Sequence, residues 1–200
     1  MSELGFIIAA YFLGSVSFGV VVSRAFSLPD PRTIGSGNPG ATNVLRSGKK
    51  VAAALTLLGD AAKGWLVVWL AQRLGFAPIF VVLSMAAVFG GHLYPIYYGF
   101  KGGKGVATAF GAMLALSPWL GLCTLASWLL TFALFRISSL SALVAAALSP
   151  VYAAIFLGFS LYSAAVLGLM LALIWRHKSN IHRLLDGTET RVGKSENGPT

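Results

Sequence analysis

The chain is predicted to fold as an all-α integral membrane protein. It reads as a seven-helix transmembrane bundle with one short helix (about 105–116), its N-terminus outside and its C-terminus cytoplasmic. Three observations predict this. The sequence is 56% hydrophobic and only 10% charged, a balance suited to lipid rather than water. Its apolar residues gather into runs near the roughly 20 residues that cross hydrocarbon. Its basic residues fall so that one way of counting those runs puts nearly all of them on one membrane side.

The first run is 4–23. Glu3 rather than a basic stretch precedes it and no Ala-x-Ala-like cleavage site follows, so it reads as a retained span. Ser15 and Gly19 are small residues placed for close helix packing. Runs 51–72 and 78–98 come next. Within the former, Asp60 and Lys63 are spaced to pair on one helix face, and a structural ion pair is favoured over catalysis. In the latter His92 stands alone, and a lone histidine in a span more often satisfies its neighbours than performs chemistry. Tyr94, Tyr97, Tyr98 and Trp175 sit where interfacial anchors belong.

The run 105–135 is longer than one span needs and carries Ser117-Pro118 near its middle. Proline lacks an N–H and disfavours helix in the residue before it, so the run divides into 105–116 and 119–135. Undivided, it would put the 99–104 loop opposite the basic tail that follows Arg176. Divided, the loops 24–50, 99–104 and 136–139 share one side with that tail. Of the 15 Lys and Arg, only Arg73 then faces outward and only Lys63 lies inside a span. The 105–116 helix, about 18 Å long, cannot cross alone and must be enclosed by neighbours, its N-terminal end toward the cytoplasmic face.

Runs 140–157 and 160–175 complete the bundle, with Ala164, Gly168 and Ala172 as packing positions. Residues 177–187 place Ile181, Leu184 and Leu185 on one side, the pattern of a short interfacial helix. The chain thus divides into one membrane domain, 1–187, and a flexible cytoplasmic tail, 188–200.

Composition also excludes. Cys123 is the only cysteine, so no internal disulfide or cysteine metal cluster can form. No metal and no cofactor is expected. Fifteen Lys and Arg against 6 Asp and Glu suit loops that meet anionic lipid. Nucleic acid is not expected as a partner, because these residues flank spans rather than covering a soluble face.

Three glycine-rich or basic segments interrupt the apolar sequence, all on the predicted cytoplasmic side. In the first, Gly35, Gly37 and Gly40 let the backbone aim N–H groups at one anion. Ser36, Asn38, Thr42 and Asn43 add neutral hydrogen-bonding groups, and Arg46 offers a planar fork suited to phosphate. In the second, Gly102, Gly103 and Gly105 surround Lys104 directly before the short helix. Unpaired N–H groups and partial positive charge at a helix start favour an anion there. A nucleotide-binding P-loop is not matched, because Tyr98 and Gly105 stand where it requires glycine and Ser or Thr. In the third, His177 and Asn180 share a helix face with Arg183, while Lys178 and His182 read as a solvated flank. Ser139, after Arg136, is a further candidate contact.

Such a set suits an enzyme joining a water-soluble phosphate compound to a lipid chain. A phosphate or glycerol-phosphate transporter is the alternative. It would need polar access from both faces, and the outer connections near 73–77, 117–118 and 157–159 offer little beyond Arg73 and Ser117.

The three segments together resemble the bacterial acyl-phosphate:glycerol-3-phosphate acyltransferases, the PlsY family. The resemblance rests on Gly35-Ser-Gly-Asn-x-Gly-Ala-Thr-Asn43 with Arg46, and on Gly91-His-x-x-Pro95 running into Phe100-x-Gly-Gly-Lys-Gly-Val-Ala-Thr108. It extends to His177-x-x-Asn-Ile-x-Arg-Leu184 with Gly187 and Glu189, and covers nearly the whole chain. It implies acyl transfer from acyl phosphate to the 1-hydroxyl of sn-glycerol 3-phosphate, the first acylation of bacterial phospholipid synthesis. It places the chain in the bacterial inner membrane with its site facing the cytoplasm, functionally coupled to an enzyme that makes acyl phosphate. Ser36, Arg46, Lys104 and His177 are then the expected catalytic residues. Gly37, Asn38, Gly40, Thr42, Asn43, Gly102, Gly103, Ser139 and Asn180 are expected to bind substrate. Either a substrate phosphate or His177 serves as the base.

Overall fold

The computed structural model describes residues 2–192. Most of the expected tail, 193–200, lies outside the described residues. Among them the chain is helical throughout, with no strand.

The first apolar run is not one helix. Helix α1 (Glu3–Gly14) and helix α2 (Phe18–Ala25) are separated by a break and bent by 47°. The cause lies in the packing. Side chains at Gly14 and Gly91 would collide with the facing backbones at Val88 and Tyr11, so α1 runs in close contact with helix α5 (Pro78–Leu93). The break frees carbonyls, and Lys63, from helix α4 (Lys50–Arg73), supplies the donors. Its Nζ donates to Gly14 O at 2.9 Å and to Val16 O at 2.7 Å. The same ammonium pairs with Asp60 Oδ1 at 2.8 Å, the expected ion pair, and lies 3.0 Å from His92 Nδ1. Burial makes such a pairing obligatory for both charges.

After the short helix α3 (Ala41–Leu45), α4 and α5, a 3₁₀ turn spans Ile96–Tyr98. Helix α6 (Val106–Leu116) and helix α7 (Pro118–Phe135) divide where proline was expected to divide them. Ser117 is extended there, and its hydroxyl caps α7 by accepting from the Leu120 N–H at 3.4 Å. Helices α8 (Ser138–Leu157), α9 (Leu161–Arg176) and α10 (Lys178–Leu185) complete the chain.

Close packing is concentrated elsewhere than the sequence suggested. Gly64 on α4 meets the Thr108 carbonyl, and Gly111 on α6 meets that of Ala61, so α4 and α6 lie backbone against backbone. Gly19 does touch Pro39, but Gly168 faces open space. The core holds Val67, Val68, Met85, Val88, Leu120 and Val166. Large apolar side chains such as Leu58, Trp119, Leu130, Leu134 and Ile155 point outward, as a lipid-facing surface requires. Four helical stretches, Lys50–Arg73, Pro78–Tyr98, Pro118–Phe135 and Ser138–Leu157, are long and apolar enough to cross a membrane. The bent α1–α2 pair makes up to five, while α6 and α9 are shorter apolar helices.

Candidate active site

A cavity of about 1280 Å³ opens where the three polar segments converge. Its apolar lining comes from Leu57 of α4, Val106 and Ala107 of α6, Trp128 of α7 and Ala142 of α8. Its polar lining includes Ser36, Asn38, Arg46, Lys104, His177 and Asn180. Gly40 and Thr42 also line it.

The first loop is built around Asn43. Its Nδ2 donates to Pro31 O at 2.7 Å and Ile34 O at 3.1 Å, while its Oδ1 accepts from the Ser36 N–H at 3.1 Å. Gly35 and Gly37 take the left-handed region, φ +53° and +67°, which non-glycine residues avoid. Asn43 is therefore a buried brace for the loop, and it also lines the cavity. The expected N–H nest is also partly closed, since the Gly37 N–H donates to Ile34 O at 2.9 Å. Ser36 and Asn38 line the cavity together with Gly35 and Asn43. Thr42 Oγ1 lies 3.0 Å from Ser138 Oγ and ties the loop to α8. The Arg46 guanidinium reaches Thr190 Oγ1 at 3.2 Å.

In the second segment the glycine backbone is engaged with protein. The Gly103 N–H donates to His92 O at 3.1 Å. Arg176 Nη2 donates to Gly102 O at 3.2 Å and to Gly103 O at 3.0 Å. Gly102 and Gly103, expected to bind substrate, thus shape the turn that presents Lys104. Lys104 lines both the large cavity and a neighbouring one of about 280 Å³, which Gly37 and Gly102 also line. Its ammonium donates to Asn180 Oδ1. Burial, partly offset by the Glu189 carboxylate, lowers its pKa to about 8, with Arg183, Arg176 and Arg46 adding to the fall.

His177 sits at the junction of α9 and α10, fully buried. Its Nδ1 is 2.8 Å from Leu173 O, and a carbonyl can only accept, so Nδ1 carries the proton and Nε2 keeps a lone pair. Burial pushes the imidazole down to about 4 despite that hydrogen bond, and the Lys104 charge pushes the same way. Asn180 completes a bridge, its Nδ2 donating to Glu189 Oε1 at 2.6 Å. Ser139, in the first turn of α8 rather than a loop, donates to the same oxygen at 2.6 Å.

Glu189, named in the family pattern, was given no site role by the sequence. It lay in the expected tail, yet residues 188–192 fold back on the site, where Val192 N–H donates to Arg136 O at 2.8 Å. Arg183 Nε donates to Glu189 Oε2 at 2.6 Å. Burial would raise this carboxyl, but the bonds from Ser139, Asn180 and Arg183 outweigh it and hold the group ionised. The one sequence signal was its place, with Gly187, in the family pattern that follows Leu184.

A family model described as glycerol-3-phosphate acyltransferase matches residues 4–187. The chain belongs to this family. A glycerol-3-phosphate acyltransferase of Methylobacillus flagellatus is 64% identical over 195 residues, covering 97% of this chain and 99% of the relative. One from Thiobacillus denitrificans is 56% identical over 198 residues, covering 97% and 99%. Among solved structures, the glycerol 3-phosphate form of PlsY, an integral membrane glycerol 3-phosphate acyltransferase, superposes with a TM-score of 0.91. It is 36% identical and covers 96% of each chain. Its lysophosphatidic acid form gives 0.89 at 35% identity, with the same coverage. The acyltransferase family therefore supplies both the fold and the integral membrane character of this chain.

Proposed function

We propose that the chain transfers a fatty acyl group from acyl phosphate to the 1-hydroxyl of sn-glycerol 3-phosphate, releasing phosphate and lysophosphatidate. The observation that carries this reading is a cavity lined both by apolar side chains, Trp128 and Leu57 among them, and by the cations Lys104 and Arg46. One substrate is a fatty chain ending in phosphate, the other a small polar phosphate ester. A cavity of mixed character meets both needs.

The hydroxyl attacks the acyl carbon, a tetrahedral intermediate forms, and the bond from that carbon to the phosphate oxygen breaks. Lys104, Arg46 and Ser36 balance the charge that gathers on the phosphate and acyl oxygens. The hydroxyl proton passes to a phosphate oxygen of substrate, whose second ionisation lies roughly at pH 6. An imidazole held near 4 is the weaker base of the two, so His177 Nε2 orients glycerol 3-phosphate by accepting a hydrogen bond from its other, non-reacting hydroxyl. Asn180 fixes Lys104, and enclosure among the helices shields the anhydride from water.

The wider setting follows from the same reading. The chain crosses the bacterial inner membrane seven times, using α1–α2, α4, α5, α6, α7, α8 and α9. Its N-terminus is outside and its catalytic mouth cytoplasmic. Supporting this is the meeting of Arg46, Lys104 and Arg183 around one cavity, as expected if their loops share a face. Residues 1–187 are the catalytic domain, 188–200 a cytoplasmic extension whose first residues serve the site. A separate enzyme that makes acyl phosphate supplies the donor.

The deciding experiment incubates the purified chain with labelled glycerol 3-phosphate and, separately, acyl phosphate, acyl-CoA or acyl carrier protein. Labelled lysophosphatidate should form with acyl phosphate alone. Equal transfer from either thioester would overturn the donor assignment.

A further inference from the structure

The His92–Asp60–Lys63 cluster lies deep in the bundle and has no part in the chemistry just described. Asp60 and His92 nonetheless reach the wall of the large cavity. Lys63 draws together the α1–α2 break, Asp60 and His92. His92 in turn meets the glycines before Lys104 twice. Its carbonyl accepts the Gly103 N–H at 3.1 Å. The Nε2 edge of its imidazole faces the Gly103 α-carbon, so that a Cβ there would land on Nε2, with Cε1 and Cδ2 close behind. A Cβ on Gly102 would strike the His92 and Leu93 carbonyls and the Pro95 ring.

Arg176 holds the carbonyls of the same two glycines. Its Nε and Nη2 grip the Gly103 carbonyl at 3.3 and 3.0 Å, and Nη2 also takes Gly102 O at 3.2 Å. The guanidinium carbon lies 5.7 Å from the centre of the Tyr94 ring, which holds the fork in place. Arg176 directly precedes His177, so this grip joins the Lys104 turn to the histidine junction. Glycine has no side chain of its own to hold a turn. Two outside groups therefore have to define where the next residue points.

We propose that His92 and Arg176 are positioning residues that clamp Gly102–Gly103 between them and so set the direction of the Lys104 ammonium. The inference rests on the phosphate-binding role given to Lys104 above, but its geometry can be read without any substrate. With the turn gripped, Lys104 reaches Asn180 and borders both cavities. With either jaw removed, the turn is free to rotate and the long lysine stem can swing into water. Asp60 and Lys63 hold His92 at a fixed depth.

The test is a double-mutant cycle with two readouts. Chemical modification of Lys104 by a water-soluble amine reagent, followed by peptide mass spectrometry, reports where the ammonium is. The kcat/KM for glycerol 3-phosphate reports function. Gly103→Ala drives a methyl group into the imidazole, so Lys104 labelling should rise and kcat/KM should fall at least about tenfold, a shift typical of mutations near but not in the chemistry. His92→Ala removes one jaw and should itself raise Lys104 labelling and lower kcat/KM. Because both changes act on one contact, the pair Gly103→Ala with His92→Ala should show less than the sum of the two single effects. Arg176→Lys, at the partly exposed rim, keeps the charge but loses the fork. It should raise both Lys104 labelling and KM, and it serves where His92 variants fail to fold. The inference fails if the Gly103→Ala and His92→Ala effects simply add and Arg176→Lys leaves labelling within twofold of the parent. Lower thermal stability of His92→Ala with unchanged labelling and kinetics likewise counts against it. If labelling follows the expected order while the parent shows no acyl transfer, the clamp stands and the proposed reaction falls.

Discussion

Lys104 and Asn180 meet across 76 positions of chain, the lysine ammonium donating to the asparagine side-chain carbonyl. Asn180 also donates to Glu189, so one amide connects the cation of the second motif to the carboxylate after the third. Asn180→Ala should free Lys104 and leave Glu189 one donor short. A loss in kcat/KM of about 10- to 100-fold is expected, on the scale of a hydrogen bond to a charged group. Asn180→Asp should be worse than Ala for glycerol 3-phosphate affinity, because its charge repels phosphate. Steady-state kinetics in detergent checks both.

The pH dependence follows from Lys104. Burial lowers it from 10.5 to about 8, and only the ammonium attracts phosphate. Below about 8 the free enzyme carries the charge, and above it the charge is lost. The KM for glycerol 3-phosphate should therefore rise as pH climbs through 8, well before an ordinary lysine would titrate. Lys104→Arg, always charged, should lose this limb whatever its absolute rate.

Glu189 is predicted to hold the site together. One oxygen takes Ser139 and Asn180, the other Arg183, so all its partners are donors. Glu189→Gln puts an NH₂ group against one of them. A destabilisation of about 1–3 kcal/mol is expected, the cost of an unmet buried polar group. It should appear as a lowered Tm in detergent, with a matching loss of activity.

His177→Gln separates orientation from proton removal. Glutamine can accept a hydrogen bond but is not a base. Retention of kcat within about tenfold, with a higher KM, is expected if the proton goes to substrate phosphate. A collapse of kcat by about 10³-fold with unchanged binding would mark His177 as the base.

Much of this arrangement was legible in the sequence because bilayers permit few solutions. Long apolar runs had to become helices, and Ser117-Pro118 had to break the longest of them. The positive charges of Arg46 and Lys104, together with the His177–Asn180 pair, pointed to one anionic ligand, and the structure gathers them about one cavity. What escaped the reading depended on partners far apart in the chain. The bend after Gly14 requires Lys63 as a donor, and nothing local in 4–23 signals it. Asn43 looked like a ligand contact, but its amide is consumed by the turn that carries Ser36. Glu189 lies in a polar stretch without periodicity, so composition assigned it to a tail. The glycines before Lys104 suggested open N–H groups, whereas the Gly103 N–H is taken by the His92 carbonyl and Arg176 holds the carbonyls of Gly102 and Gly103.

The most direct measurement is the turnover of Lys104→Ala with acyl phosphate and glycerol 3-phosphate, in protein whose folding is confirmed by an unchanged Tm. A fall in kcat/KM of at least about 100-fold, the effect of deleting a preorganised charge at the reacting group, is predicted. Near-parental turnover in the folded variant would contradict the central claim that phosphate is held and transfer assisted at this lysine.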